Sequence, residues 1–325
     1  MLSRLQAEKI MNEYGKANEP FLFIIDFEME HSLVCKLSEV DSSELLYWMN
    51  GTTNLDDSFT HSIQNIEIKK KPVSFDDYFN GFQKVQQEIS FGNTYLLNLT
   101  FCTPITLNVS LKDVFIRSKA RYKLWYKDEF TVFSPEIFVK IIDGKIFSFP
   151  MKGTIDASLE NSQAKILEDE KEIAEHFTIV DLIRNDLSMV AQRVHVTKFR
   201  YIEKIKTHEK ELLQVSSEIC GELYENYQNR LGTIIFQLLP AGSICGAPKK
   251  KTVEIIKDSE SYKRGFYTGI AGIFDGKNLD SGVLIRFIEK TPDGYLFKSG
   301  GGITSFSNPE SEYQEMIDKV YVATY

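Results

Sequence analysis

Three Asp-Gly pairs, Asp143-Gly144, Asp275-Gly276 and Asp293-Gly294, each sit between apolar-rich runs of strand length. Asp-Gly readily takes the positive-φ conformations of a type I′ turn, whose twist matches that of the strands it joins, so each pair reads as the tip of a β-hairpin. Residues 137–142 and 145–149 flank the first pair, and residues 268–274, 281–289 and 295–299 flank the other two. Hairpin neighbours run antiparallel, so antiparallel sheet is the frame the chain must satisfy. Residues 95–100 and 122–126 add strands, and FLFIIDF (21–27, after Pro20) is an apolar run suited to burial on both faces.

Helices fall between these strands. Residues 1–14 read as a short, poorly capped helix. Ser74 with Asp77 three residues on caps an amphipathic helix over 75–91, in which Phe79, Phe82, Val85 and Ile89 recur at helical spacing until Gly92. Residues 158–190, 209–225 and 252–258 are also predicted helical, and a last helix begins at Asn308-Pro309. Residues 50–59 read as a loop. No fixed-period repeat or long linker interrupts the chain.

With 325 residues, 42% of them hydrophobic, the chain has enough apolar surface to bury a sizeable core. A formal net charge of -8 argues against nucleic acid or an anionic membrane as partner; Lys69 to Lys71 and Lys249 to Lys251 are the local basic exceptions. Cys35, Cys102, Cys220 and Cys245 lack CxxC spacing, so neither a zinc site nor a disulfide framework is indicated. No apolar run approaches the roughly twenty residues that cross a bilayer, and the first fifteen lack a signal peptide's apolar region. A cytoplasmic location is the expectation.

Several stretches combine a backbone device with groups suited to an anionic ligand. In FPMKGT (149–154) a glycine follows Lys152, leaving its amine without a bulky neighbour. The segment EHFTIVDLIRNDLSMV (175–190) is apolar nearly all round yet carries Glu175, Asp181, Arg184, Asn185 and Asp186, which burial would require to be paired. Gly300, Gly301 and Gly302 offer three unhindered amides, and Glu312 and Glu315 fall on one face of the last helix. Arg286 is the one charge between 283 and 288, as a buried ion-pair partner or a carboxylate clamp. The loop PAGSICGAPK (240–249) lacks the spacing of a phosphate loop, which excludes a nucleotide reading.

The ordered set FPMKGT, EHFTIVDLIRNDL, PAGSICGAPK, RGFYTGIAG (264–272) and SGGGITSFSNPESEYQE (299–315) resembles the chorismate-utilising enzyme family. GNTYLLNLT (92–100) and FSPEIF (133–138) extend the similarity upstream. The resemblance implies an α+β fold of two large, mainly antiparallel sheets packed together and flanked by helices, with the active site between them. It implies a catalytic region over 73–325 and a short, divergent N-terminal region, 1–72, packed on it. It further implies that Glu175 and Glu315 hold magnesium against the ring carboxylate of chorismate, and that Gly153, Thr154, Tyr267, Arg286, Gly300, Gly301, Gly302 and Glu312 line the substrate site.

Lys152 distinguishes branches within the resemblance. The anthranilate synthase branch carries alanine in the corresponding motif; PMKGT instead resembles the aminodeoxychorismate synthase component I branch. A neutral Lys152 amine, favoured by burial and the nearby metal, would then act as a nucleophile on the chorismate ring. Leu96 stands where isochorismate- and salicylate-forming relatives carry a water-activating lysine and many others glutamine. Gln214 replaces a histidine found in several relatives, which leaves the acid for the departing hydroxyl unassigned, and Cys245 replaces a commoner threonine. No cysteine occupies a GxCxG context, so the resemblance implies a separate glutamine amidotransferase subunit as ammonia source. A noncatalytic chorismate-binding subunit is the alternative from a different class, motivated by Leu96 and Gln214.

Overall fold

The computed structural model describes residues 1–56, 65–206 and 211–324. Two nine-stranded sheets form the body, and all pairings assigned between their strands are antiparallel. The first carries Phe21–Ile25, Ser32–Lys36, Ile137–Ile142, Lys145–Ser148, Met151–Asp156, Ala191–Lys206, Glu211–Leu223, Ile270–Phe274 and Leu279–Val283. The second carries Leu45–Met49, Leu96–Leu107, Tyr122–Tyr126, Phe130–Ser134, Phe287–Thr291 and Gly294–Ile303, with three short strands at its margins. This is the α+β architecture expected, and the Asp143-Gly144 and Asp293-Gly294 turns close hairpins in it. Residues before 73 contribute strands to both sheets.

Four sequence expectations are corrected. The helix expected over 209–225 is a strand, Glu211–Leu223, with 209 and 210 outside the described residues. It pairs with Ala191–Lys206 on one side and with Lys145–Ser148 and Met151–Asp156 on the other, so its backbone groups are satisfied by distant segments. The single strand expected over 281–289 is two, in different sheets, because the chain crosses at Arg286, whose φ is 56°. The first helix, Arg4–Lys16, is well capped, since Ser3 and Gln6 form a reciprocal capping box. Of the loop expected over 50–59, Thr52–Thr53 is a short strand, and residues 57–59 lie outside the described residues.

Helix Phe75–Ser90 starts at Ser74, whose hydroxyl accepts from Asp77 N, and buries Tyr78, Phe82 and Val85 against the second sheet's Leu97 and Leu99. Helix Glu170–Ser188 sets Ile179, Val180, Leu182, Ile183 and Leu187 into the same core. Among the described residues, no helix is long and apolar enough to cross a membrane.

One buried ion pair ties these layers together. Arg264 is 1% exposed, and its guanidinium donates to both Glu260 carboxylate oxygens, at 2.9 and 2.6 Å, to Ile244 O at 2.9 Å and to Asn98 O at 2.6 Å. Glu260 accepts in addition from Thr100 N and Oγ1. Arg264→Met should therefore leave a buried carboxylate and two carbonyls without their donor, and should lower unfolding free energy by about 3–5 kcal/mol in chemical denaturation. A loss below about 1 kcal/mol would show the pair to be dispensable.

Candidate active site

A cavity of about 1100 Å³ lies between the two sheets. Ile137, Phe138, Met151 to Thr154 and Gln214 line it from the first sheet, and Leu96, Asn98 and Ser299 to Gly302 from the second. Helix Glu170–Ser188, the loop 241–246, Tyr267, Arg286 and helix Pro309–Asp318 close the remainder. Of the eleven residues to which the resemblance gives a catalytic, substrate or metal role, ten line this one space: Lys152, Gly153, Thr154, Glu175, Tyr267, Arg286, Gly300, Gly301, Gly302 and Glu315. Glu312 lies just behind, with Oε2 3.3 Å from where a Cβ on Gly301 would stand.

The local backbone explains the convergence. Lys152 follows the hairpin strand Lys145–Ser148 across Phe149 and Pro150, as the sequence suggested. Met151–Asp156 is itself a strand, and its register with Glu211–Leu223 shifts between Met151 and Thr154, so Lys152 and Gly153 occupy a bulge. Gly153 has φ 87°, and a Cβ there would meet Glu172 Oε2 at 3.1 Å. The glycine triplet is likewise inside a strand, Gly294–Ile303, paired with Leu96–Leu107, while its register with Phe287–Thr291 ends at Lys298. At Gly300 a Cβ would stand 2.1 Å from Leu99 O, so only glycine allows that approach.

Charge in the cavity is arranged in opposed pairs. Lys152 Nζ lies 2.7 Å from Glu175 Oε2, and Lys319 Nζ lies 2.7 Å from Glu315 Oε1 and 2.8 Å from Gly300 O. Burial pulls the Lys152 pKa down, but Glu175, with Glu172 and Glu315 beyond it, outweighs this and holds the pKa above its ordinary value. The expectation that burial would favour a neutral amine is thus not met while Glu175 is the lysine's partner. For Lys319 burial prevails over Glu315, and Arg286 and Lys152 push the same way. Arg286 also lies over the Tyr321 ring, 5.4 Å from its centroid.

Lys319 and Glu136 are among the cavity groups not singled out from sequence. Lys319 stands four residues beyond Glu315, a helical spacing that could have flagged it. Glu136, in FSPEIF, accepts a short hydrogen bond from Ser243 Oγ, and burial raises its pKa against the opposing influence of that hydroxyl, Arg286 and Lys319. Its sequence signal was only a lone carboxylate ahead of an apolar strand. Lys249, at the end of the small-residue loop, pairs with Asp186 at 2.7 Å and donates to Leu238 O, which fixes the loop against helix Glu170–Ser188.

Glu175 and Glu315 present an all-oxygen donor set from two helices toward one space. Among the described residues no three or more His, Cys, Asp or Glu side chains converge as a metal site. Two carboxylates, completed by ligand and water oxygens, suit magnesium, which keeps several non-protein ligands, and the residues present fit it in that sense.

Sequence comparison places the chain in a family. Residues 19–324 match the model of the chorismate-binding enzymes, and the chain belongs to that family. An uncharacterized PabA-like protein of Haemophilus influenzae is 51% identical over 311 residues, covering 96% of this chain and 94% of its own. Aminodeoxychorismate synthase component 1 of Bacillus subtilis is 31% identical over 265 residues, 77% of this chain and 55% of that protein. Anthranilate synthase component 1 of Aquifex aeolicus is 35% identical over a shorter 195 residues, 57% of this chain and 38% of that protein. The structure of the menaquinone-specific isochorismate synthase MenF of Escherichia coli shares the fold, with a TM-score of 0.75 at 16% identity over 98% of this chain and 81% of that one. The chain is thus a chorismate-utilising enzyme.

The glycines separate stability from binding. Gly300→Ala must move backbone and should cost about 1–3 kcal/mol of stability. Gly301→Ala meets the ends of flexible side chains, Glu312 at 3.3 Å and Glu315 at 3.8 Å, so its melting temperature should stay near wild type while the KM for chorismate rises about tenfold. Thermal melts with steady-state kinetics check both, and equal behaviour of the two variants would contradict the geometry.

Proposed function

We propose that the enzyme is an aminodeoxychorismate synthase component I, which converts chorismate and ammonia to 4-amino-4-deoxychorismate, the route toward para-aminobenzoate and folate. The observation that carries this reading is Lys152 in a strand bulge, its amine in the cavity beside Glu175. Arg286 and Lys319 bring positive charge suited to the carboxylates of a dianionic substrate. Magnesium, held by Glu175 and Glu315, would bind the ring carboxylate and draw electron density toward it.

The chain's own groups supply the remaining steps. Once the carboxylate charge that holds its proton is offset, Lys152 releases that proton to solvent and the neutral Nζ adds to ring C2. The two ring double bonds shift, and the C4 hydroxyl leaves as water with a proton from Glu136. The raised pKa of Glu136 keeps that proton available. Ammonia then adds at C4, the double bonds return, and the lysine amine leaves C2, so that one ammonia replaces one water and the enolpyruvyl ether stays intact. The ammonia would come from a separate glutamine amidotransferase subunit. The rival reading, an anthranilate synthase component I, has support from the Aquifex relative, but it leaves the Lys152 amine without a role.

Incubation with chorismate, Mg²⁺ and ammonium salt should give aminodeoxychorismate by mass, should stop on chelation of the metal, and should not proceed with glutamine in place of ammonium. Anthranilate as product would overturn the assignment, and unchanged chorismate with ammonium present would favour a noncatalytic subunit. Lys152→Ala should lower the rate about a thousandfold or more. The activity of the wild type should fall as pH rises through the raised pKa of Glu136, where the acid loses its proton, and Glu136→Gln should be slow at every pH. A Glu136→Gln profile that keeps both the rate and the alkaline limb would assign the acid elsewhere.

A further inference from the structure

Asn98 lies within GNTYLLNLT and lines the cavity, but neither the sequence reading nor the proposed mechanism gives it a role. Its backbone is fixed at three points: N donates to Cys245 O at 2.8 Å, O accepts from Arg264 Nη2 at 2.6 Å, and the residue stands opposite Gly302 in the strand register. Alternation along the strand sends Leu97 and Leu99 into the core and leaves Leu96 and Asn98 lining the cavity. There the Asn98 Oδ1 atom is buried with no hydrogen-bond partner among the described residues. Leaving a buried acceptor unpaired costs about 1–3 kcal/mol, and an apolar side chain of similar size, like the neighbouring Leu96, would avoid that cost.

We propose that Asn98 binds the nitrogen nucleophile, accepting an N–H of ammonia through Oδ1; this rests on the reading of the site as one that aminates chorismate. The chemistry selects the ligand. The carboxylates of chorismate are acceptors, suited to Arg286 and Lys319, and would be repelled by an amide oxygen. Ammonia has three N–H groups and must direct its lone pair at a ring carbon, so it is oriented by acceptors set on the side away from that carbon. The cavity-lining residues that the strand register and backbone hydrogen bonds set beside Asn98, namely Leu96, Gly302 and Cys245, carry no carboxylate, amide or hydroxyl acceptor on their side chains. The competing ligand is the C4 hydroxyl of chorismate, which also carries a donor hydrogen.

The test is steady-state kinetics with ammonium varied at saturating chorismate and the reverse, on wild type, Asn98→Leu and Asn98→Asp, with a thermal melt of each. Asn98→Leu should raise the KM for ammonia about tenfold, the equivalent of one lost hydrogen bond, leave the KM for chorismate within about twofold, and melt at or above the wild-type temperature because an unpaired polar group has been removed. Asn98→Asp keeps an oxygen acceptor and should hold the KM for ammonia within about threefold of wild type. An unchanged ammonia KM in Asn98→Leu, a rise confined to chorismate, equal loss in both variants, or a melt lowered by several degrees would each overturn the proposal. Amination by the wild type with unaltered Asn98→Leu kinetics removes this proposal alone; a wild type that aminates nothing removes the functional reading with it.

Discussion

The structure depends on the desolvated contact between Arg264 and Glu260. Its cost in lost hydration is met only because nearly every polar atom of the pair is used: both Glu260 oxygens, the Ile244 and Asn98 carbonyls, and the Thr100 amide and hydroxyl. The elements so joined are those that line the cavity. Asn98 and Thr100 belong to the strand that registers the glycine triplet, Ile244 to the loop beneath helix Glu170–Ser188, and Arg264 precedes Tyr267 by three residues. Lys298, one residue before Ser299 and 4% exposed, donates to the Arg264 carbonyl and extends the network to the strand carrying the glycines. A site that must hold several groups in fixed relation is thereby built on rigid sheet, with few degrees of freedom left to its supports.

Within the cavity the governing quantity is charge balance. Lys152, Lys319, Arg286 and the carboxylates of Glu175, Glu315 and Glu136 share one cavity, where like charges gather only if opposed. The opposition is internal, Lys152 with Glu175 and Lys319 with Glu315. A dianionic ligand with a divalent cation can exchange partners with these groups at little change in net charge. On the proposed reading, this gives a physical reason for setting Lys152 against Glu175: the carboxylate that holds the lysine's proton is also the one a cation would neutralise.

Much of this was legible in the chain. Asp-Gly turns mark hairpins because local sterics alone decide them, and the Ser74 cap marks its helix for the same reason. The strand Glu211–Leu223 was misread because it is central and buried on both faces over much of its length, so the polar–apolar alternation that signals a strand is lost; Leu212, Val215 and Ile219 then mimic a helical spacing. The crossing at Arg286 was invisible because a left-handed arginine is imposed by two sheets competing for adjacent residues. For the site, residues in dense motifs such as 300–302 and 149–154 announced themselves. Glu136 and Asn98 did not, since what distinguishes them is a raised pKa and an unpaired oxygen, and both arise only when distant segments enclose them.

The proposed reaction requires Lys152 to form a bond to the substrate. Intact-protein mass spectrometry after rapid acid quench, with chorismate and Mg²⁺ but no ammonia, tests it most directly. The account predicts a species heavier by chorismate less one water, mapped by peptide analysis to Lys152 and discharged to aminodeoxychorismate when ammonium is added. A wild-type enzyme that turns over to aminodeoxychorismate with ammonium, yet shows no adduct at any time point without it and the same turnover in Lys152→Ala, would contradict it.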